Sequence, residues 1–220
     1  MTAAPEPTVP APVPAPEPTG PGPGPGPGLA AVRAARTETQ AKIIAVATEL
    51  FAQQGYHATG VAELGRAVGL GAGALYHHIG SKEELLLTIV RAHLEDVLAF
   101  GTLLLAAEGT AVAKLHELAR EHMRLVAHRR TELLVMLREL DSLTGQRRAD
   151  MLALRDAVED VWNQVVRRGI EAGELTDLDP MFVKVVLGAM NYSLFWFQPD
   201  GSETPEQMAD RILDMVLKTP

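Results

Sequence analysis

Residues 59–82 read TGVAELGRAVGLGAGALYHHIGSK and have the pattern of two short helices joined by a tight turn. Gly69 suits the left-handed conformation that ends a helix, and Gly65 permits a close approach of the two helices. Apolar residues in both halves are spaced to bury one shared face, namely Leu64, Val68, Leu70, Leu75 and Ile79. The segment therefore predicts a helix-turn-helix, whose second helix can lie in a major groove. A purely structural corner between two helices is the alternative interpretation.

The rest of the chain has the sequence pattern of a helical protein. No proline occurs between residues 29 and 179, a run rich in Ala, Leu, Glu and Arg, and no stretch alternates like a strand. Capping patterns mark helix starts at Thr37, Ser81, Asp179-Pro180 and Thr204. The predicted fold is all-α, with nine helices over residues 38–54, 61–68, 72–79, 82–107, 111–128, 132–142, 146–172, 180–198 and 205–218.

The first 28 residues differ from everything that follows them. They contain eleven of the fifteen prolines and end in PGPGPGPG. Such a segment buries too little surface to offset the entropy of ordering, so it is predicted to be a disordered or polyproline-like tail. A partner that binds the proline repeats is the other interpretation. The predicted domains are this tail over residues 1–28, a helix-turn-helix domain over 29–85 and a larger helical domain over 86–220.

The composition excludes several classes of function. Cysteine is absent, so disulfides, thiolate metal sites and cysteine nucleophiles are ruled out. No apolar run is long enough to span a membrane and no secretory signal is present, so a cytoplasmic location is expected. No nucleophile–base spacing occurs, so neither catalysis nor a cofactor is expected. His116, His122 and His128 are six residues apart, which does not suit helical metal ligands, so no metal site is predicted.

The net charge of −8 at first argues against a nucleic-acid partner, but the charge is unevenly distributed. Residues 29–82 contain five basic and three acidic side chains, whereas the 138 residues after them contain fifteen basic and 23 acidic ones. A basic segment within an acidic chain is compatible with local binding to DNA.

The helix-turn-helix and its flanks resemble the DNA-binding domain of the TetR family of bacterial transcriptional regulators. The resemblance covers residues 39 to about 90 with the family's spacing throughout. Its motifs are Ile44, Ala47, Leu50 and Phe51 before Gly55-Tyr56, then Thr59, Gly69-Leu70, the run from Gly73 to His78 and the run from Ser81 to Leu86.

The resemblance implies a role in DNA binding for nine residues. Tyr76, His77 and Lys82 match positions that contact phosphates, and the Lys82 amide would also point at a phosphate. Thr59 and Gly60 match positions beside the sugar-phosphate backbone. The positions that face base edges are Ala72, Gly73 and Ala74, where Ala72 replaces a frequent lysine or other polar residue; Gly71, before them, replaces the usual serine cap of the recognition helix. Direct base readout is therefore expected to be modest. Arg33 and Arg36 are a candidate minor-groove arm, and a merely solvated tail is the alternative interpretation.

The larger domain is expected, by the same resemblance, to bind a ligand and to dimerise. Six of the ten aromatic residues lie after residue 160, and residues 182–197 are apolar nearly all round. A helix of that kind in a small domain suggests core on one face and a second subunit on the other. The predicted dimer-interface residues are Phe182, Val186, Met208, Ile212 and Met215; a monomeric core helix is the alternative.

Large flexible and aromatic side chains in this domain suit a roomy apolar ligand site. The predicted pocket residues are Met123, Leu133, Met136, Leu137, Trp162, Val166, Met190, Asn191 and Phe195. The stretch from Gly188 to Glu206 more loosely resembles family members that respond to acyl-CoA thioesters, and arginines including Arg124 and Arg129 are candidates to bind the phosphates of CoA.

These observations together predict a homodimeric repressor that a small hydrophobic ligand releases from a palindromic DNA operator. The rival interpretation is a helical protein that binds small molecules and has a degenerate helix-turn-helix without DNA binding. The glycine-rich second helix motivates that rival.

Overall fold

A computed structural model describes residues 38–176 and 178–217. Within these residues the chain forms nine α-helices and one short 3-10 helix, with no strand. The helices are α1 (Glu38–Gln54), α2 (Val61–Val68), α3 (Ala72–Ile79), α4 (Lys82–Ala106), α5 (Ala111–His128), α6 (Arg130–Glu139), the 3-10 helix Leu140–Ser142, α7 (Gly145–Glu171), α8 (Phe182–Ser193) and α9 (Pro205–Leu217). The all-α prediction is confirmed. The predicted tail, Arg33, Arg36 and the Thr37 cap lie outside the described residues.

Side-chain caps fix several of these boundaries. The Glu84 amide donates to Ser81 Oγ at 3.0 Å at the start of α4. Thr204 and Gln207 form the full predicted capping box, in which the Thr204 amide donates to Gln207 Oε1 at 2.9 Å and the Gln207 amide donates to Thr204 Oγ1 at 3.2 Å. These bonds satisfy amides that the first turn of a helix leaves without partners, so both starts match the sequence prediction.

The helix predicted over residues 180–198 is shorter at both ends. Asp179 accepts the Met181 amide at 2.7 Å, and α8 begins only at Phe182. After Ser193 the backbone tightens into three-residue turns, in which the Phe195 amide donates to the Tyr192 carbonyl at 3.1 Å. The apolar composition that predicted a longer helix therefore extends beyond the helix into a packed turn.

One continuous core joins the helix-turn-helix to the larger helical part. Phe51, Leu64 and Leu75 fill the space between α1, α2 and α3, and Trp162 of α7 is fully buried. The long helices α4 and α7 pack together, α5 packs on α9, and α1 packs against α6. Arg120 of α5 holds Asp210 of α9 through two nitrogen–oxygen contacts of 2.9 Å, which fixes α9 on the outside of the bundle.

No helix among the described residues is long and apolar enough to cross a membrane. The same residues contain no group of three or more histidine, aspartate or glutamate side chains placed to hold a metal ion.

Candidate DNA-binding surface and effector cavity

The turn between α2 and α3 depends on two glycines. Gly69 has φ of +80°, and the Leu70 amide donates to the Gly65 carbonyl at 2.8 Å, which is the bonding pattern of a Schellman helix end. A Cβ at Gly65 would lie 2.7 Å from the Leu70 carbonyl oxygen. Gly65 is predicted to permit a close approach of the two helices; in the structure it chiefly permits a close approach of α2 to Leu70 in the turn.

The outer face of α3 exposes most of the residues predicted to meet DNA. Gly71, Ala72, Gly73, Ala74 and His77 are exposed, and 47% of the Tyr76 surface is accessible. Leu75 and Ile79 point inward and seat α3 on the core. The Tyr76 hydroxyl and the His77 ring are thus the polar side-chain groups that this exposed face offers.

Thr59 does not lie on that surface. Its side chain is fully buried, donates to the Gly55 carbonyl at 2.9 Å and accepts from Gln54 Nε2 at 3.2 Å. The predicted contact of Thr59 with the DNA backbone does not fit this placement, because the hydroxyl closes the loop before α2 instead. Gly60, the next residue, is exposed at the start of α2.

The ammonium group of Lys82 is engaged within the protein. It donates to the carbonyls of Tyr56 and Thr59, both at 2.7 Å, and lies 4.3 Å from the centre of the Tyr56 ring. Burial lowers the pKa of Lys82 from its ordinary value, and the nearby Glu139 carboxylate opposes that shift. The Lys82 side chain therefore stabilises the loop before α2. Of the two contacts predicted for Lys82, the one that remains is a hydrogen bond from its backbone amide, in the first turn of α4, to a phosphate.

The two glycines at positions 65 and 73 provide a matched test of this turn. Gly65→Ala is expected to lower the free energy of unfolding by about 1–3 kcal/mol, because the added methyl overlaps a backbone oxygen that cannot move freely. Gly73→Ala is expected to raise it by up to about 1 kcal/mol, because a Cβ there has open space within a helix. Urea unfolding of both variants checks the pair, and a stabilising effect of Gly65→Ala contradicts the close contact between Gly65 and the Leu70 carbonyl.

Polar contacts connect the helix-turn-helix to the larger helical part. Glu139 at the end of α6 accepts the Tyr56 amide at 3.2 Å. Glu83 accepts both the hydroxyl and the amide of Thr144 at 2.8 Å, and these bonds hold the pKa of Glu83 below its ordinary value. Arg147 of α7 contacts Glu83 at 3.1 Å and Glu84 at 3.2 Å. These contacts with Thr144 and Arg147 therefore attach the first turn of α4 to the start of α7.

A cavity of about 240 Å³ lies among α4, α5, α6, α7 and α8. Its walls are mainly apolar, with charged side chains at one part of the lining. The lining residues are His93, Leu94, Val97, His122, Met136, Leu137, Arg155, Val158, Glu159, Lys184, Leu187, Gly188 and Asn191. A smaller void of about 10 Å³ lies next to it, beside Trp162.

Only part of the predicted pocket lines this cavity. Met136, Leu137 and Asn191 do so, and Trp162 lines the small void. Met123, Leu133 and Met190 are buried in the core away from both spaces, Val166 is half-buried against the core, and Phe195 is half-exposed on the outer surface. The predicted residues lie mostly on helices that border this cavity, but several of their side chains are not part of its lining, and α4, which also lines it, is absent from the prediction.

Two cavity residues that sequence analysis did not assign to the ligand site are histidines. His93 of α4 and His122 of α5 are buried, and His122 Nε2 lies 2.9 Å from Asn191 Oδ1. Burial lowers the pKa of His93 to about 4 and that of His122 in the same direction. Both rings are therefore neutral near pH 7. A histidine set among Ile89, Val90 and Leu94 on an apolar helix face was the signal available in the sequence.

The arginines considered for CoA phosphates already have partners. Arg124 bonds Glu206 and Glu121 at 2.7 Å each, and Arg129 pairs with Asp96. At the cavity the cationic groups are instead Arg155 and Lys184, of which Lys184 contacts Glu159 at 2.6 Å. These exposed charges give the cavity lining a polar edge.

An exposed apolar stripe runs along α8 and the residues that flank it. Val185 is 50% exposed and Tyr192 66% exposed, and the stripe continues through Met181, Phe195 and Trp196. The residues predicted for the dimer interface lie mostly elsewhere, because Phe182, Val186 and Ile212 are buried in the core and Met208 is half-buried. Only Met215 of that set is largely exposed. The helix α8 is therefore apolar on two faces, but its exposed face carries Val185 and not the predicted neighbour Val186.

Two family models match the chain. The model described as "Bacterial regulatory proteins, tetR family" matches residues 43–89, which include the helix-turn-helix. The model described as "Tetracyclin repressor-like, C-terminal domain" matches residues 108–219. Together they cover the exposed α3 face and most of the cavity walls.

Relatives of known structure and known role agree with these matches. The HTH-type transcriptional repressor KstR2 of Mycobacterium tuberculosis is 26% identical over 179 residues, which is 80% of this chain and 90% of the relative. The TetR family regulator PfmR of Thermus thermophilus is 34% identical with a TM-score of 0.73, over 80% of this chain and 96% of that one. AibR, solved with isovaleryl coenzyme A and operator DNA, is 27% identical with a TM-score of 0.73, over 82% and 98%.

Proposed function

The chain belongs to the TetR family of bacterial transcriptional regulators, and from that premise we propose that it is a homodimeric repressor released from a palindromic operator by a small, mainly apolar effector. One observation carries the proposal. The helix α4 contacts the helix-turn-helix through Lys82 and lines the cavity through His93, Leu94 and Val97. Residues 82 and 93 are about 16 Å apart along one helix, so a displacement at the cavity is transmitted directly to the DNA-reading end.

Binding to DNA would rest mainly on the backbone of the operator. Tyr76, His77 and the Lys82 amide are the proposed phosphate contacts, while Gly60 and the small residues from Gly71 to Ala74 let α3 approach the groove closely. Ala74 can touch a thymine methyl group and His77 can make one base bond. Phosphate contacts position a protein without reading sequence, so operator preference would depend substantially on DNA shape.

Release would follow from the contacts at the first turn of α4. An effector that separates α4 from α7 changes the position of Glu83 and Glu84 relative to Arg147, whose contacts with them are 3.1 and 3.2 Å. The helix-turn-helix then moves with Lys82 and the loop it holds. In a dimer this changes the distance between two recognition helices, which lowers operator affinity without altering any single DNA contact.

The dimer would form through the apolar stripe on α8, with Met215 of α9 beside it. Val185 and Tyr192 lie on one face of α8 while its opposite face fills the core, and Trp196 continues the exposed stripe in the turn after the helix. A contiguous exposed apolar face of this kind marks an interaction surface. A second copy is the proposed occupant, because a palindromic operator requires two recognition helices related by a twofold axis.

An acyl-CoA thioester is the proposed effector class. The apolar walls suit an acyl chain. At the polar edge, Arg155 and Lys184 are exposed and would exchange their contacts with Asp156 and Glu159 for an anionic head group. AibR supports this choice, because its structure holds isovaleryl coenzyme A. The cavity of about 240 Å³ favours a short or medium acyl group.

Selection of genomic fragments with the purified protein, read by sequencing, tests the proposed function. We expect enrichment of a palindromic site whose binding weakens steeply as salt rises, and loss of that binding on addition of isovaleryl-CoA or another acyl-CoA of similar length. If the protein binds the operator and no acyl-CoA releases it, the proposed regulator stands but the proposed effector class is wrong. No enrichment at low salt favours the rival, a small-molecule-binding protein with a degenerate helix-turn-helix.

Removal of one hydroxyl at the DNA surface gives a sharper prediction. Tyr76→Phe is expected to weaken binding by at least about 30-fold on specific and nonspecific DNA alike, because the dimer loses two hydrogen bonds to phosphate that contribute at least about 1 kcal/mol each. Ser202→Ala, which removes an exposed hydroxyl in the segment between α8 and α9, is the control and is expected to leave DNA binding unchanged. Electrophoretic mobility shifts measure both, and a changed operator preference in Tyr76→Phe contradicts the phosphate role.

A further inference from the structure

Two histidines that line the cavity each have a buried ring nitrogen without a hydrogen-bond partner. His93 is 4% exposed and His122 8% exposed, and both residues line the cavity. Within the described part of the chain, neither His93 Nδ1 nor His122 Nδ1 has a partner, although both atoms are buried. Buried polar atoms are nearly always satisfied, so two unpartnered atoms on residues that line one cavity indicate that another group bonds there.

The bonding of His122 shows which kind of group its free nitrogen requires. Nε2 of His122 lies 2.9 Å from Asn191 Oδ1, and an amide oxygen only accepts hydrogen bonds. The hydrogen of the neutral ring is therefore on Nε2, and Nδ1 is left with a lone pair. Nδ1 is thus an acceptor that needs a donor from outside the protein.

The cavity walls do not supply that donor. Most lining side chains are apolar, including Leu94, Val97, Met136 and Leu187. Arg155 Nη2 bonds Asp156 at 3.1 Å and Lys184 Nζ bonds Glu159 at 2.6 Å, and neither side chain bonds His122 Nδ1. An occupant made only of hydrocarbon would leave the buried His122 acceptor unpaired, whereas an occupant with a donor would satisfy it and bind more tightly.

We propose that the effector of this cavity carries a hydroxyl or amide N–H group that donates a hydrogen bond to His122 Nδ1, with His93 as a second polar contact beside it. The inference rests on the proposed function only in taking the cavity as the effector site. It narrows the effector to an apolar chain or ring with a hydrogen-bond donor placed inside the bundle. A thioester carbonyl alone does not meet this requirement, whereas a hydroxyacyl group or an amide N–H of the pantetheine arm does.

Two isomeric probes distinguish the contribution of the hydrogen-bond donor to binding from the contribution of the apolar chain. Decan-1-ol and 1-methoxynonane have the same formula, but only the alcohol has a donor. Calorimetric titration of the full-length protein is expected to show the alcohol binding at least about 10-fold more tightly than the ether, because only the alcohol can donate a hydrogen bond to the buried acceptor. In His122→Phe the preference is expected to vanish, whereas His128→Phe, at an exposed histidine of the same helix, retains it. Equal binding of both probes by the native protein, no binding of either, or a preference that survives His122→Phe overturns the proposal.

The tautomer of His122 provides a second readout that does not depend on the stability of a variant. In protein labelled with ¹⁵N-histidine, we expect His122 as the Nε2–H tautomer, and its Nδ1 resonance shifts on addition of decan-1-ol but not of 1-methoxynonane. A hydrogen on Nδ1 in the free protein contradicts the proposal. Operator binding is measured on the same preparation. If the protein does not bind an operator, the proposed regulatory function is wrong, but the tautomer of His122 and the preference between the two probes still test the present proposal.

Discussion

Replacement of Val185 and Tyr192 by glutamate is expected to convert the protein to a monomer and to weaken operator binding by at least about 100-fold. Both side chains lie on the exposed apolar stripe of α8, at 50% and 66% exposure, so the free protomer tolerates the change. In a dimer the new carboxylates would be buried without partners, which costs several kcal/mol for each interface. A single protomer reaches only one half of a palindrome, and its affinity falls accordingly.

A matched control distinguishes this effect from general damage. Leu103→Glu places the same charge at another exposed apolar residue, on α4 and outside the stripe. It is expected to leave both the dimer and operator binding unchanged. Analytical ultracentrifugation measures the oligomeric state and circular dichroism checks that helix content is retained. A double variant that remains dimeric shows that the second copy binds elsewhere.

The order and limits of the helices were predictable because they depend on local chemistry. Gly69 ends α2 because glycine, which has no side chain, readily adopts the φ of +80° that this helix end requires. Ser81 starts α4 because its hydroxyl accepts a hydrogen bond from a backbone amide that has no partner within the helix. The predicted limits of α1, α2, α3 and α5 match the structure. The prediction was wrong at α8, because apolar composition alone does not distinguish a helix from the packed turn that follows it.

The side chains that face the cavity and the outer surface were less predictable. Successive residues on a helix point about 100° apart, so a helix that is apolar nearly all round does not reveal its rotation. Met123 is among the predicted pocket residues, whereas its neighbour His122 lines the cavity. Phe182 and Val186 are among the predicted interface residues, whereas their neighbours Met181 and Val185 are exposed. Each of these three predicted residues is displaced by one position.

Residues assigned from the family resemblance also depend on local bonding that a motif does not record. Thr59 has the residue type of the motif, but its hydroxyl donates to Gly55 inside the loop. The ammonium of Lys82 is held by two carbonyls of that same loop. The resemblance identified the DNA-binding domain correctly, and the structure shows that part of its motif maintains the loop before α2.

The buried histidines give the second large prediction, a loss of stability in mild acid. Burial, together with the charges of His122 and Arg129, lowers the pKa of His93 to about 4, and Asp96 only partly opposes this. The unfolded chain binds the proton near pH 6.5, so the free energy of unfolding is highest above that pH and falls as the pH drops toward 4. His93 alone is expected to lower it by about 2 kcal/mol between pH 7.5 and 5, and His122, whose pKa is also lowered by burial, acts in the same direction.

Urea unfolding at fixed protein concentration, from pH 7.5 to 5, measures this slope before most carboxylates titrate. His93→Leu cannot take up the proton in either state, so its stability is expected to fall less steeply across the same range, whatever its stability at pH 7.5. His128→Gln, at an exposed histidine, is expected to keep the slope of the native protein. Comparing slopes removes the separate effect of changed packing in the cavity. Equal slopes for the native protein and His93→Leu contradict a neutral His93 in the folded state, because a histidine that takes up its proton equally in both states contributes no pH dependence.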